Sequence, residues 1–340
     1  MRTILKRKAA FAVRREIGMK RDFRIGPEEA GMRISDGEAE SLERRQLLRR
    51  FLIAARGTAV GVALLNAGGH LLRGPGASAA PKKPPPPPPR PGGPPDKQGN
   101  NPVTVSANDP TITAGMDEYP GLVGTLLGYL AAPRGGETYP GVLVLHDGAG
   151  LTEHYKDVAR RFAKAGYVAL APDLASRAGG TDKIGDPAKV NAALLDIAPG
   201  QLLQDLHAAL RYLEARPMVS KSLIGTIGFG MGGSIMWLVL ANNSDPKAAV
   251  ALFGAFPPSR VVPSLKVAVL AIYGEDDHRD PDDAAEFETQ MKKAGLPFTL
   301  KQEPKAARDF FNDTSSAYVP DAAKDAWGMT LDWFAAHLSA

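Results

Sequence analysis

The 340-residue chain contains no cysteine. That excludes disulfides, thiolate-held metal sites and a thiol nucleophile, and it leaves the redox compartment open. No uninterrupted apolar run reaches the roughly 20 residues that a membrane-spanning helix needs. The C-terminal two thirds has no basic stripe interleaved with aromatics, so no nucleic-acid partner is expected. No internal repeat is visible. What is present, 44% apolar and 23% charged residues, suits one or two globular domains with a real core. The formal charge of +4 is not spread evenly. Much of the positive excess lies before residue 91, at positions such as Arg14, Arg15, Arg44, Arg45, Arg49, Arg50, Lys82 and Lys83.

That N-terminal third reads as address and tether. Arg44 and Arg45 precede a moderately apolar stretch, 51–65, interrupted only by Arg56. Ala77-Ser78-Ala79 then supplies small residues of the kind a signal peptidase reads. A basic flank, an apolar segment and a small-residue site in that order describe a bacterial signal peptide of twin-arginine type. The competing reading is an amphipathic or membrane-anchoring helix. The leader before the arginine pair is long, so Met19 or Met32 is a candidate start, and Met32 gives the more ordinary length. Residues 1–79 are therefore expected to be a disordered extension and leader. Residues 80–117 follow as a linker and extended lead-in. The proline run 84–89, with Pro91, Pro94, Pro95 and Pro102 after it, favours polyproline II and cannot pack a core. The expected location is exported, periplasmic or extracytoplasmic, with membrane contact only through the leader or an anchor.

From about residue 118 to 340 the pattern alternates strand and helix. Short buried runs fall at 126–131, 141–145, 167–171, 223–227, 248–253, 267–273 and 298–301. Between them lie helical patterns: Tyr155, Val158, Phe162 and Ala165, stopped by Gly166; Leu202, Leu206, Leu210 and Leu213; segments 232–240 and 282–294; and Ala323, Trp327, Leu331, Phe334 and Leu338. Repeated βα units with strands this apolar imply a mostly parallel sheet covered by helices on both faces.

One glycine-rich turn carries the functional question. Gly228-Phe229-Gly230-Met231-Gly232-Gly233 follows a strand and opens a helix. It satisfies the dinucleotide pattern, but that site also needs an acid near the end of the next strand. That strand ends in Gly254-Ala255-Phe256, and the turn is not at the first βα crossing. No nicotinamide, flavin or other cofactor is expected. The turn fits a nucleophile elbow better. There, glycines permit the sharp strand-to-helix bend and the central residue faces the substrate. The central residue here is Gly230.

The segments 139–147, 157–163 and 165–173, the Gly150-Leu151 pair, the elbow and Phe310-Phe311-Asn312-Asp313-Thr314 together resemble the dienelactone hydrolase family. The likeness covers most of 118–338 in order and spacing. It implies an α/β-hydrolase fold and, in typical members, hydrolysis of esters or lactones by a Cys-His-Asp triad without metal or cofactor. Carried over position by position, the cysteine falls on Gly230, the histidine on Arg308 and the aspartate on Asp277. The glutamate after the first histidine falls on Asp147, one methylene shorter. Backbone amides near Met231, and at Gly148 or Ala149, correspond to the oxyanion hole.

Two of those positions lack the chemistry. A nucleophile must attack and later leave, and glycine offers only backbone. Arginine stays protonated and cannot serve as a base. No other residue reads as a replacement. Ser234, a helical turn beyond the elbow, reads as capping or packing. His278 beside Asp277 reads as a solvated loop histidine, and His146 as a structural hydrogen bonder. His154, His207 and His337 sit on helices without paired metal spacing, and no metal is expected. The acids Asp276, Asp277, Asp280, Asp282 and Asp283 read as loop and helix N-terminus chemistry. Arg308 is expected either to pair with Asp277 in a bidentate bridge or to turn outward and bind a ligand carboxylate.

Three functions follow for comparison. The first is a family member that has lost covalent hydrolase activity and acts as a binding or scaffold domain for a small ester, lactone or carboxylate. The second is an active hydrolase using a non-standard nucleophile or an activated water at Asp147 or Asp277. The third is a dinucleotide enzyme. For the leader, N-terminal sequencing of the exported product should show a mature chain beginning at Ala80; a product that retains Arg44 and Arg45 would sink the cleaved-leader reading.

Overall fold

The computed structural model describes residues 104–242, 245–277 and 281–339. The arginine pair, the 51–65 stretch, the small-residue site, the proline run, His278 and Asp280 lie outside them. Eight strands are formed: β1 (Ile112–Pro120), β2 (Thr125–Pro133), β3 (Tyr139–Leu145), β4 (Val168–Pro172), β5 (Val219–Phe229), β6 (Pro246–Leu252), β7 (Ala268–Gly274) and β8 (Phe298–Glu303). The helices are α1 (Glu153–Lys164), α2 (Thr181–Ile184), α3 (Pro187–Asp196), α4 (Pro199–Glu214), α5 (Met231–Asn242), α6 (Pro281–Lys293) and α7 (Pro320–His337).

The strands make one sheet in the order β1-β2-β4-β3-β5-β6-β7-β8. β2 runs antiparallel to both β1 and β4. Every other neighbouring pair is parallel. Strand alternation divides the core in two. Val142, Val144, Val250, Leu252, Leu270 and Ile272 pack with Val158 and Phe162 of α1 and Phe334 of α7. Leu143, Leu145, Ala249, Ala251 and Val269 face the other way, toward Leu194 of α3, Leu206 of α4, Ile235 of α5 and Phe287 of α6. Burial on both faces is why these strands read as continuous apolar runs. The parallel strands all end on one edge, where the connecting loops meet.

The stretch expected as an extended lead-in, 103–117, contributes β1 from Ile112 onward. β1 is an edge strand in which only Ile112 and Tyr119 are buried. Its apolar alternation is therefore too thin to stand out from a polar linker.

The residues before β1 are also held. Val105 donates its N–H to Asp157 Oδ1 at 2.7 Å and accepts from Arg160 Nε at 2.5 Å. Lys164 pairs with Asp109 at 2.6 Å. Behind this clasp α1 buries an ion network on its inner face. Arg161 Nε meets Asp157 Oδ2 at 2.6 Å, and Arg161 also reaches Asp313 at 3.2 Å. His154 Nδ1 lies 2.9 Å from the other Asp313 oxygen. Arg160 adds bonds to Glu153 and to the Tyr129 hydroxyl. Charges this buried are tolerated because each finds a partner.

Removing one partner should then be costly. Asp157→Ala strips acceptors from Val105, Arg160 and Arg161 at once and is expected to lower unfolding stability by about 3 kcal/mol or more. Urea unfolding of the purified protein measures it; a loss below about 1 kcal/mol would mean the network carries little weight.

Candidate active site

The elbow forms where β5 gives way to α5. Gly230 has φ +50°, a left-handed conformation that favours glycine. Its N–H donates to Leu252 O at 2.8 Å, which ties the bend to β6. Its carbonyl accepts from both Ser234 N–H and Ser234 Oγ, each at 3.2 Å. The approach of α5 to β3 depends on a second glycine. A Cβ on Gly232 would run into the carbonyl oxygens of Leu145 and His146. The elbow backbone is thus complete, and its tip has no side chain.

The groups singled out from sequence gather along this carboxyl edge. His146, Asp147, Gly148 and Ala149 follow β3, Met231 opens α5, and Asp277 lies in the turn after β7 with its N–H donated to Gly274 O at 3.1 Å. Arg308 follows β8. An ion pair between Arg308 and Asp277 is not among those formed within the described residues. Arg308 Nε lies 3.9 Å from Oδ1 of the adjacent Asp309. The chain turns sharply there, with Asp309 at φ +65°, and this sets the two neighbours side by side.

Ala149 leaves the set of oxyanion donors for a simple reason. Its N–H is committed to Asp147 Oδ1 at 2.8 Å. Gly148 N–H and Met231 N–H make no hydrogen bond with another described residue; the latter is one of the first amides of α5, which have no intrahelical acceptor. The short side chain of Asp147 folds back onto its own loop. On its other side stands Tyr155, fully buried, whose hydroxyl is pushed well above its usual pKa, first by burial and then by the charges of Asp147 and Asp309. Tyr155 therefore stays protonated against that carboxylate.

The replacements considered from sequence are already engaged. Ser234 Oγ is buried, bonded to Gly230 O, and accepts Ala255 N–H at 2.9 Å. His146 is fully buried between two backbone groups. Its Nε2 accepts Leu174 N–H at 3.0 Å, so Nδ1 must carry the proton donated to Asp147 O at 2.7 Å. That fixes one neutral tautomer. His154 belongs to the α1 network. Asp282 and Asp283 fall in the first turn of α6, where acids are favoured. Among the described residues no group of three His, Cys, Asp or Glu side chains is arranged to hold a metal.

One neighbour of these groups went unread in the sequence. α3 places the half-buried Asn191 against the loop after β3, with Oδ1 2.7 Å from where a Cβ on Gly148 would stand. The start signal for α3 was there: Asp186 caps Ala188 N–H at 2.9 Å and Pro187 occupies the first turn. What sequence lacks is the fold-back that brings this helix over Gly148.

Comparisons with known proteins agree with this geometry. The profile of the dienelactone hydrolase family matches residues 126–338. A protein of Methylorubrum extorquens provisionally named carboxymethylenebutenolidase is 31% identical over 243 residues, 68% of this chain and 84% of its own. A Salmonella typhimurium protein with the same provisional name is 30% identical, over 69% of this chain and 91% of its own. The crystal structure of a provisionally named dienelactone hydrolase from Klebsiella pneumoniae superposes with TM-score 0.61 at 30% identity, covering 66% of this chain and 98% of that one.

The buried neutral His146 has a consequence for acid stability. Its pKa is lowered from 6.5, chiefly by burial. The unfolded chain therefore binds the proton more readily, and stability present above about pH 6.5 is lost as pH falls below it. His207 and His337 are shifted the same way by burial. Urea midpoints taken at pH 7.5, 6.5 and 5.5 should decline, most steeply below pH 6.5. A His146→Gln chain should show a shallower decline; an unchanged slope would refute the tautomer assignment.

Proposed function

The chain belongs to the dienelactone hydrolase family, with its ester- and lactone-hydrolase-like α/β-hydrolase fold, and from that membership we propose that its domain binds an ester or lactone without the family's covalent step. The observation that carries this is the elbow tip. Gly230 keeps the left-handed bend but presents no atom that can attack and later leave. At the histidine position, Arg308 is a permanent cation and cannot take a proton. The nearest hydroxyl along α5, Ser234, has its hydrogen bonds already made. The fully buried imidazole of His146 is held on both nitrogens. Neither is available to form a nucleophile–base pair.

What remains supports binding. The N–H groups of Gly148 and of Met231, which opens α5, make no hydrogen bond with another described residue, and the glycine turn packs α5 against β3. In proteases such a residual oxyanion site without its triad retains on the order of 10³-fold catalysis over water, far below a working hydrolase. We also propose that the domain works outside the cytoplasm, delivered by the twin-arginine leader and spaced by the proline-rich tether. The support for that is the order of basic flank, apolar segment and small-residue site in the sequence.

The test is restoration. A panel of nitrophenyl esters and simple lactones should show no more than that residual turnover with the natural chain. The double substitution Gly230→Cys with Arg308→His is expected to raise turnover by at least about 100-fold, the lower end of what general-base catalysis contributes. Robust hydrolysis by the natural chain, abolished by Asp147→Asn or Asp277→Asn, would overturn the proposal in favour of an activated-water hydrolase.

A further inference from the structure

Beside the elbow, three polar groups make no hydrogen bond with another described residue. Two are the backbone N–H groups of Gly148 and Met231. The third is the side-chain amide of Asn191, which makes no hydrogen bond with another described residue. Gly148 is the point at which Asn191 and Met231 meet. A Cβ built there would lie 2.7 Å from Asn191 Oδ1 and 3.9 Å from Met231 Cε. The side chains of Asn191 and Met231 therefore close over the same face of the oxyanion loop, which only a glycine leaves open.

Asn191 is held there by packing on rigid neighbours. Val190 and Leu194 bury the inner face of α3. Val190 Cγ1 lies 2.9 Å from where a Cβ on Gly150 would stand. Just before α3, Thr181 Oγ1 accepts Leu151 N–H at 2.9 Å and donates to Asp173 at 2.8 Å. The α2–α3 segment is thereby fastened to the loop that carries Gly148. The asparagine itself stays half-exposed, so its amide is solvated until something fills the pocket. Half a turn about its last torsion presents either the oxygen or the NH2 group.

We propose that Asn191 is a specificity-determining ligand contact: its NH2 group joins the amides of Gly148 and Met231 in seating the carbonyl oxygen of an intact ester or lactone. This rests on the binding reading above and names the chemistry that the pocket selects. A neutral carbonyl accepts from all three donors. A carboxylate would meet like charge from Asp147, which is held in the same loop by its bond to Ala149 N–H at 2.8 Å. The site thus favours the closed lactone over its ring-opened acid, since discrimination comes as much from repelling the wrong ligand as from contacts to the right one.

Phthalide and its ring-opened form, 2-(hydroxymethyl)benzoate, share one skeleton and separate the two cases. Calorimetric titration of the natural protein should show phthalide binding at least tenfold tighter than the acid. Asn191→Ala should weaken phthalide about threefold to tenfold, the range of one neutral hydrogen bond, with the thermal midpoint unmoved because no internal bond is lost. Asn191→Asp should weaken it further. Undiminished phthalide affinity in Asn191→Ala, no phthalide binding at all, or tighter binding of the acid would each overturn the assignment. Release of the acid from phthalide by the natural chain, followed by chromatography, would overturn the loss of hydrolysis instead. In that event the contact stands only if Asn191→Ala lowers kcat/KM by the same factor.

Discussion

Everything at the carboxyl edge depends on how closely the first turn of α5 approaches the end of β3. That approach is possible because Gly232 offers no Cβ to the carbonyls of Leu145 and His146. It brings the start of one helix beside the loop that begins at His146, and so places Met231 and Gly148 in one neighbourhood. The bend that makes it, at Gly230, is stitched to β6 through Leu252 and to α5 through Ser234. None of these bonds uses a side chain at position 230. The architecture of the elbow is consequently indifferent to whether a nucleophile is present at that position.

The second layer of support lies under the edge. α1 begins just past the oxyanion loop and buries its charged side chains against the 311–313 region through Arg161, His154 and Asp313. Aromatic rings fill the space between: Tyr155 and Phe229 stand 5.4 Å apart, and Phe229 and Phe311 5.5 Å. The loop carrying Arg308 and the loop carrying Asp147 therefore rest on a common floor. A buried ion network gives little stability for its own sake, because desolvation offsets most of the attraction. Its effect is to make one arrangement of the loops much better than any other.

Much of this was legible in the residues and some was not. The central strands could be read because burial on both faces leaves them uniformly apolar, and α1 because Gly166 stops it. The elbow was legible because glycines crowd where backbones must touch. β1 was not, since an edge strand with two buried residues resembles a linker. The contact of Asn191 with Gly148 was not legible either: it is tertiary, and a half-exposed asparagine on a short helix carries no periodic signal. Arg308 was placed at its position by resemblance, and the positive φ at Asp309 beside it carries no sequence signal.

The grip on Val105 bears on how the domain would carry tension. Its backbone is held at both its N–H and its carbonyl by side chains of one helix. A pull along the chain upstream is therefore delivered to α1, which is packed against several strands, before it reaches β1. Without that grip the same force would peel the outermost strand from the sheet one ladder bond at a time. With it, the charged side chains and the strand-facing surface of α1 must yield together, a shearing arrangement that shields the sheet edge from unzipping.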